Sequence, residues 1–261
     1  MKKDRSIGKY IRIVFIIIFS VVFCVSAFMI AKELLELKKD ADTFDTLAKE
    51  IELVYDNEEE SDNADLENET TDDKAKRKRN IKALFKKNNE CIGWVCIPNT
   101  HIDYPVMHTP ENPEKYLHRN FYGVYSVSGT PFMDSRCTME SINRIFFAHN
   151  MKNDTMFSDL LGYMDKKYLK KHPVVEFETL EGCVEYEVFA VLQIKSDDVW
   201  YDFIEAYDEE EYNLAIADIL ERSEYDTGIV PKYGDRLLTL STCYTSNSEE
   251  RLIVVAVNRA E

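Results

Sequence analysis

The sequence predicts a mainly β protein, a closed or nearly closed β-barrel with inserted helices, preceded by one transmembrane helix. Three observations predict this architecture. A charge-free apolar run occupies residues 13–31. About eight short β-type runs, separated by turn residues, follow residue 81, and helical patterns interrupt them. Many short strands at such spacing are typical of barrels.

The N-terminal segment predicts a membrane anchor. The run "IVFIIIFSVVFCVSAFMIA", residues 13–31, has no charged side chain, and about 20 apolar residues are enough to cross a bilayer as a helix. Basic side chains in residues 1–12 favour a cytoplasmic N-terminus and an extracellular location for everything after the span. A cleaved signal peptide is the alternative, but its apolar core is usually shorter and ends at an Ala-x-Ala-like site. We therefore expect an uncleaved anchor.

Residues 32–80 predict a stalk helix followed by an acidic linker. The stretch "NEEESDNADLENETTDD", residues 57–73, is too polar to bury a core. The basic cluster "KAKRKR" that follows indicates a solvated helix start, with contact to an anionic wall polymer as the weaker alternative. The formal net charge of −16 argues against a nucleic-acid partner. The globular domain is then residues 81–261.

The predicted elements of this domain follow in order. A helix in "NIKALFKKNNE" precedes the first strand, "TMFSDLLGYMDKKYLKKH" predicts a second helix, and "DEEEYNLAIADILERS" a third. No glycine loop that could cradle phosphate is visible, so nucleotide-binding folds are disfavoured. The eight predicted strands are "CIGWVCIP", "IDYPVMH", "GTPFMD", "RIFFAHN", "VVEFETL", "CVEYEVFAVLQI", "RLLTLSTC" and "RLIVVAVNR".

Five of the six cysteines give no sign of chemistry. Cys24 lies in the predicted membrane span. Cys91 and Cys96 lie on opposite faces of one strand, which makes them poor disulfide partners. Their spacing also lacks the second ligand pair of a zinc site, so no metal or cofactor is expected. Cys137 and Cys183 have no evident partner, and we interpret most of these thiols as small buried hydrophobes.

The sixth cysteine, Cys243, ends a strand close to an arginine. In "RLLTLSTC", Thr239 and Ser241 share the face of Cys243. Residues 244–250 form a loop short enough to make the next strand, which starts at Arg251, an antiparallel neighbour. A thiol and a guanidinium therefore meet at one end of the sheet, within reach of one substrate carbonyl.

An unassisted thiol is only a few per cent ionised at neutral pH and needs a base or a cation nearby. Among the histidines, His149 is the best candidate, because "RIFFAHN" predicts a buried strand that ends in a polar turn. A surface or capping role stays open for any single histidine. The others are His101, His108, His118 and His172.

The order and spacing of these residues differ from those of papain-like proteases, caspases and L,D-transpeptidases. The segment "TLSTC" followed by a strand-opening arginine resembles the signature of the sortases. Class B sortases are resembled in particular by "GWVCIPNTHIDYPVMH", "YLHRNFYG", "GTPFMD", "FFAHNMKNDTMFSDL" and "KKHPVVEFET". The similarity covers roughly residues 82–259. Ala148 departs from it, since a glycine is common before the histidine, and the loop before Arg251 is short.

The resemblance implies an eight-stranded sortase-type β-barrel with N-terminal helices and a long helix before the cysteine strand. It also implies a membrane-anchored cysteine transpeptidase without a cofactor. Cys243 would attack the carbonyl after the threonine of a C-terminal sorting signal, His149 would protonate the leaving amine, and Arg251 would hold substrate or oxyanion. Leu117 would line the substrate groove. For Ser241 strand packing is the preferred role, with substrate contact as the alternative.

The resemblance also implies partners: exported proteins with an Asn-Pro-x-Thr-like sorting signal, and an acceptor amine of a peptidoglycan precursor or a pilin. A second function stays open. The chain could be a membrane-tethered extracellular binding or pilus-assembly module in which Cys243 is a non-catalytic, buried hydrophobe.

Overall fold

The computed structural model describes residues 3–52, 79–245 and 249–259. Within these residues every strand expected from the sequence is present, and the eight strands close into a barrel. The strands are β1 (Cys91–Cys96), β2 (Asp103–Met107), β3 (Phe132–Met133), β4 (Asn143–Phe147), β5 (Val174–Thr179), β6 (Gly182–Lys195), β7 (Arg236–Cys243) and β8 (Glu250–Asn258). Around the barrel their order is β1-β2-β3-β4-β7-β8-β6-β5. The predicted eight-stranded barrel is confirmed.

The first helix, α1 (Lys3–Ile51), contains both the apolar run and the predicted stalk without a break. By length and composition it is, among the described residues, the one helix that could cross a membrane. Packing divides the chain into two compact units, one that ends at Thr43 and one that starts at Phe44. The predicted acidic linker lies outside the described residues, and the four-part division of the chain stays a prediction.

The second unit begins with the last turns of α1. Phe44, Leu47 and Ile51 are fully buried in the same hydrophobic core as the barrel residues. The ring of Phe44 meets that of Tyr104 on β2 edge to face, with centroids 5.4 Å apart. The globular unit therefore includes core residues that precede residue 81.

Three further helices flank the strands: α2 (Ile81–Lys87), α3 (Lys166–Lys171) and α4 (Glu209–Glu221). The helix predicted in "TMFSDLLGYMDKKYLKKH" is divided into a 3₁₀ helix (Ser158–Met164) and α3, because Asp165 between them has an extended backbone and its side chain caps α3. The long helix predicted before the cysteine strand is α4. Asp208 caps it by accepting a hydrogen bond from the Glu211 N–H at 2.9 Å.

The pairing of β4, β7 and β8 determines where the barrel presents its functional groups. β4 runs parallel to β7, with Phe147 opposite Ser241, and β7 runs antiparallel to β8. The chain therefore leaves β4 and β7, and enters β8, at the same edge of the barrel. The residues that follow β4 and end β7 are brought together there.

Candidate active site

Cys243, Arg251 and His149 meet at this edge. Cys243 is the last residue of β7 and lies directly opposite Arg251 in the antiparallel register, which confirms the predicted hairpin. His149 comes two residues after Phe147, as Cys243 comes two residues after Ser241. The parallel register thus carries an imidazole and a thiol to matching positions on neighbouring strands.

Hydrogen bonds join the two strand ends beyond the ladder. The Ala148 N–H donates to the Ser241 carbonyl at 3.2 Å, and the Thr242 hydroxyl donates to the Ala148 carbonyl at 2.8 Å. The Asn150 side-chain amide donates to the Cys243 carbonyl at 3.0 Å. The backbone of Ala148 lies outside the left-handed region, so a side chain where the resemblance expects glycine causes no strain.

A groove of about 520 Å³ opens at the strand ends. Its lining includes all five residues that the sequence singled out: Leu117, His149, Ser241, Cys243 and Arg251. Phe132 and Phe147 supply apolar wall, and Glu114 adds a carboxylate. The groove therefore combines an apolar surface with a thiol, an imidazole and a guanidinium. These groups can serve as the nucleophile, the acid–base group and the oxyanion-binding group of an acyl transfer.

His149 is half-buried, and its ring is held from one side. Its Nε2 lies 2.9 Å from the Leu117 carbonyl oxygen, and its ring stacks on that of His118 with centroids 5.4 Å apart. Burial lowers the pKa of His149 below its ordinary value, and electrostatic interactions with His118 and Arg251 lower it further, while the Leu117 carbonyl raises it. The imidazole is therefore mostly neutral at pH 7.

The other histidines lie elsewhere. His101 is exposed and contacts Asp159 at 3.0 Å, and His172 contacts the Pro98 carbonyl at 3.0 Å. Burial lowers the pKa of His108, which does not line the groove. Of the five histidines, His149 lines the groove and His118 stacks on it.

Three of the remaining cysteines are inert by burial. Burial raises the pKa of Cys91 and that of Cys96 to about 12, and that of Cys137 to about 11, so all three stay protonated thiols, as their interpretation as small hydrophobes requires. Cys183 is half-buried, and Cys24 is exposed on α1. In the part of the chain that the structure describes, no His, Cys, Asp and Glu side chains cluster as metal ligands.

Sequence reasoning missed the segment that covers the face of β7. The 3₁₀ helix Val199–Asp202 places Tyr201 against Ser241, with hydroxyl oxygens 2.8 Å apart. Its Trp200 donates to the Thr239 hydroxyl at 3.1 Å. These contacts explain why Thr239 and Ser241, on the same face of the strand as Cys243, are hydroxyl residues. The aromatic pair "WY" in a polar loop was the sequence signal for this covering segment.

Sequence reasoning also did not identify an arginine of the groove, Arg136. Arg136 lines the groove and binds Asp134 at 2.9 Å, Asp202 at 2.9 Å and the Tyr201 carbonyl at 2.7 Å. It thereby connects the loop after β3 to the 3₁₀ helix that carries Tyr201. Nothing in the sequence around "DSRCT" distinguishes this arginine from a solvated one.

The barrel and this groove define a cysteine-type acyl-transfer enzyme. A sequence model of the Sortase domain family matches residues 95–259. Sortase B of Listeria monocytogenes is 31% identical over 255 residues, which cover 96% of this chain and 95% of that protein. The chain belongs to the sortase family, and within it to the class B enzymes, and it is a cysteine transpeptidase.

Solved structures agree. The crystal structure of sortase B from B. anthracis in complex with AAEK1 matches with a TM-score of 0.70 and 26% identity, and the match covers 87% of this chain and 100% of that one. A Staphylococcus aureus sortase B–substrate complex matches with a TM-score of 0.64 and 26% identity, covering 69% of this chain and 85% of that one. Family membership favours the enzyme over the binding module with a non-catalytic cysteine.

Proposed function

We propose that Cys243 is the nucleophile of this transpeptidase, His149 its acid–base group and Arg251 its oxyanion or substrate clamp. The observation that carries this proposal is the register of the β7–β8 hairpin, in which Cys243 pairs directly with Arg251 at the edge where His149 emerges. A guanidinium on the residue opposite the thiol suits the negative charge that develops on the attacked carbonyl.

The reaction proceeds in two steps. The Cys243 thiol loses its proton to His149, its sulfur bonds to the carbonyl carbon after the threonine of a sorting signal, and the C–N bond breaks. The proton passes from His149 to the leaving amine. An acceptor amine then attacks the thioester, a new amide forms, and the thiol is restored with the proton that the amine gives up.

The substrates of this proposal are exported proteins that carry a C-terminal, Asn-Pro-x-Thr-like sorting signal. The acceptor is an amine of a peptidoglycan precursor or of a pilin. Support comes from the groove itself, whose apolar side chains Leu117, Phe132 and Phe147 can contact the side chains of a bound peptide. Leu117 and Ser241, both in its lining, are the proposed substrate contacts.

The proposed location is the cell membrane, with residues 1–12 cytoplasmic, 13–31 spanning the bilayer and the domain from residue 81 extracellular. The apolar helix near the N-terminus supports the anchor. At that position the enzyme meets both an exported substrate and a membrane-bound wall precursor on the outer face of the membrane.

The test is mass spectrometry of the acyl-enzyme after incubation with a library of sorting peptides. Wild type should gain the mass of the peptide up to its threonine, and the adduct should map to Cys243. Cys243→Ala should form no adduct, and Cys137→Ala is the matched control that should keep full activity. An adduct on another residue, or cleavage by Cys243→Ala above about a tenth of the wild-type rate, overturns the assignment.

A further inference from the structure

The turn that ends at His118 contacts His149 twice. The 3₁₀ helix Lys115–His118 places the Leu117 carbonyl oxygen 2.9 Å from His149 Nε2 and stacks the His118 ring on the imidazole. A carbonyl oxygen only accepts hydrogen bonds, so this contact requires the hydrogen on Nε2. In the neutral ring Nδ1 then keeps the lone pair.

Gly129 lies directly beneath this carbonyl. Its backbone has φ +64°, and a Cβ atom built on it would lie 2.7 Å from the Tyr116 carbonyl oxygen and closer still to that of Leu117. Such distances are shorter than van der Waals contact. Any side chain at this position would therefore displace the carbonyl that faces His149.

The rest of the turn is held by the same short segment. The Thr130 N–H donates to the Tyr116 carbonyl at 3.0 Å, and the Ser126 N–H donates to the His118 carbonyl at 3.1 Å. The Ser126 hydroxyl in turn accepts from the Gly129 N–H at 3.1 Å. Residues on both sides of Leu117 are thus fixed, and its own carbonyl is left to the imidazole.

The turn is also anchored from below. Tyr116 is buried, and its hydroxyl donates to the Glu90 carboxylate at 2.6 Å and accepts from the Asn88 side chain at 2.8 Å. Lys115 binds the same carboxylate at 2.6 Å. The carbonyl that faces His149 therefore belongs to a rigid element rather than to a mobile loop.

We propose that Gly129 is a positioning residue for His149: by leaving room for the Leu117 carbonyl, it fixes the imidazole as the Nε2–H tautomer and leaves Nδ1 as the nitrogen that exchanges the proton. A backbone carbonyl here takes the part that a carboxylate plays in a Ser-His-Asp triad. This inference rests on the proposed role of His149 in proton transfer.

The chemical consequence concerns both protonation states. In the neutral ring Nδ1 accepts the proton of the Cys243 thiol. In the imidazolium Nδ1–H donates to the leaving amine, while Nε2–H stays bonded to Leu117. A hydrogen bond that is retained by the charged form favours that form, so the carbonyl partly offsets the burial that opposes protonation of His149.

The experiment uses the full chain with ¹⁵N-labelled histidine in detergent micelles. In wild type, the ¹⁵N shifts of His149 should report the Nε2–H tautomer. Gly129→Ala should reduce acyl-enzyme formation about 10- to 100-fold, the order expected for a displaced catalytic group, and lower the NMR titration midpoint of His149. The variant leaves unchanged the titratable or charged groups around the imidazole and in its groove, which are His118, Arg251, Cys243, Glu114, Asp134, Arg136 and Tyr201.

Gly228→Ala is the matched control. Gly228 also has positive φ, +82°, but a Cβ atom there meets nothing within 4 Å. Alanine at Gly228 is therefore strained by a positive φ as at Gly129 but moves no carbonyl, and it should leave both the His149 midpoint and the acylation rate unchanged.

The possible results distinguish the positioning role of Gly129 from the proton-transfer role of His149. A wild-type Nδ1–H tautomer overturns the positioning proposal, and this measurement decides even if Gly129→Ala does not fold. Unchanged His149 shifts in a folded Gly129→Ala also overturn it. The expected tautomer and midpoint shift with an unaltered acylation rate support the positioning and instead contradict the proton-transfer role of His149.

Discussion

Replacing Tyr201 by phenylalanine should destabilise the globular unit although it removes a single oxygen atom. The Tyr201 and Ser241 hydroxyl oxygens lie 2.8 Å apart, and the two side chains are 8% and 1% exposed. Burial raises the pKa of Tyr201 to about 12, so the phenol is neutral throughout the working range. The variant leaves the Ser241 hydroxyl buried beside an aromatic edge that cannot bond to it.

The magnitude follows from that burial. A buried polar group that loses its partner costs about 1–3 kcal/mol, whereas replacing both partners by apolar groups is close to neutral. We expect Tyr201→Phe and Ser241→Ala each to lose about 1–2 kcal/mol, and the double variant to lose little more than either one. For a domain of this size each single change lowers Tm by roughly 2–8 °C.

The assay is urea unfolding of the unit that starts at Phe44, followed by far-UV circular dichroism, for wild type and the three variants. Tyr207→Phe is the matched control, because Tyr207 is 96% exposed and should change nothing measurable. Losses that simply add in the double variant, or single losses below about 0.3 kcal/mol, would refute the coupling. Peptide cleavage then tests Ser241 separately: substrate contact predicts a drop in kcat/KM for Ser241→Ala that Tyr201→Phe does not share.

Three further predictions concern the side chain of Arg251, the N-terminal boundary of the globular unit and the pKa of His149. Arg251→Lys keeps the charge but loses the planar fork of donors, so acyl-enzyme formation should fall about a hundredfold; retention of more than about a third of the rate in a quenched-flow assay contradicts the clamp. A chain that starts at residue 81 should melt well below one that starts at residue 40, because it lacks the buried side chains of Phe44, Leu47 and Ile51, each worth about 1.5–3 kcal/mol at most; equal Tm values would contradict this. Burial lowers the pKa of His149, so its NMR titration should have a midpoint below 6.5. The contribution of the neutral imidazole to the free energy of unfolding should be fully present above pH 6.5 and should be lost as the pH falls through the pKa of His149 in the folded protein. A midpoint at or above 6.5 would show that burial does not dominate the pKa of His149.

The eight strands, the apolar helix and the pairing of Cys243 with Arg251 could be predicted from the sequence. Strand alternation in "RLLTLSTC" and a short loop are local properties, and they were enough to place Cys243 opposite Arg251. The charge-free run after a basic flank was enough to predict the apolar helix. These predictions succeed because the alternation of side chains along a strand and the length of an apolar run do not depend on the rest of the fold.

The assembly of the site depends on contacts between segments that are far apart in the chain. Ala148 and Thr242 hydrogen-bond although they lie 94 residues apart, because β4 pairs in parallel with β7, and no local pattern encodes that pairing. The Leu117 carbonyl reaches His149 only because Gly129 leaves room beneath it, and Tyr201 covers Ser241 only because the chain after β6 folds back over β7. Backbone carbonyls carry no sequence signature and long-range pairing is set by closure of the whole barrel, so these contacts follow from packing and not from any one segment.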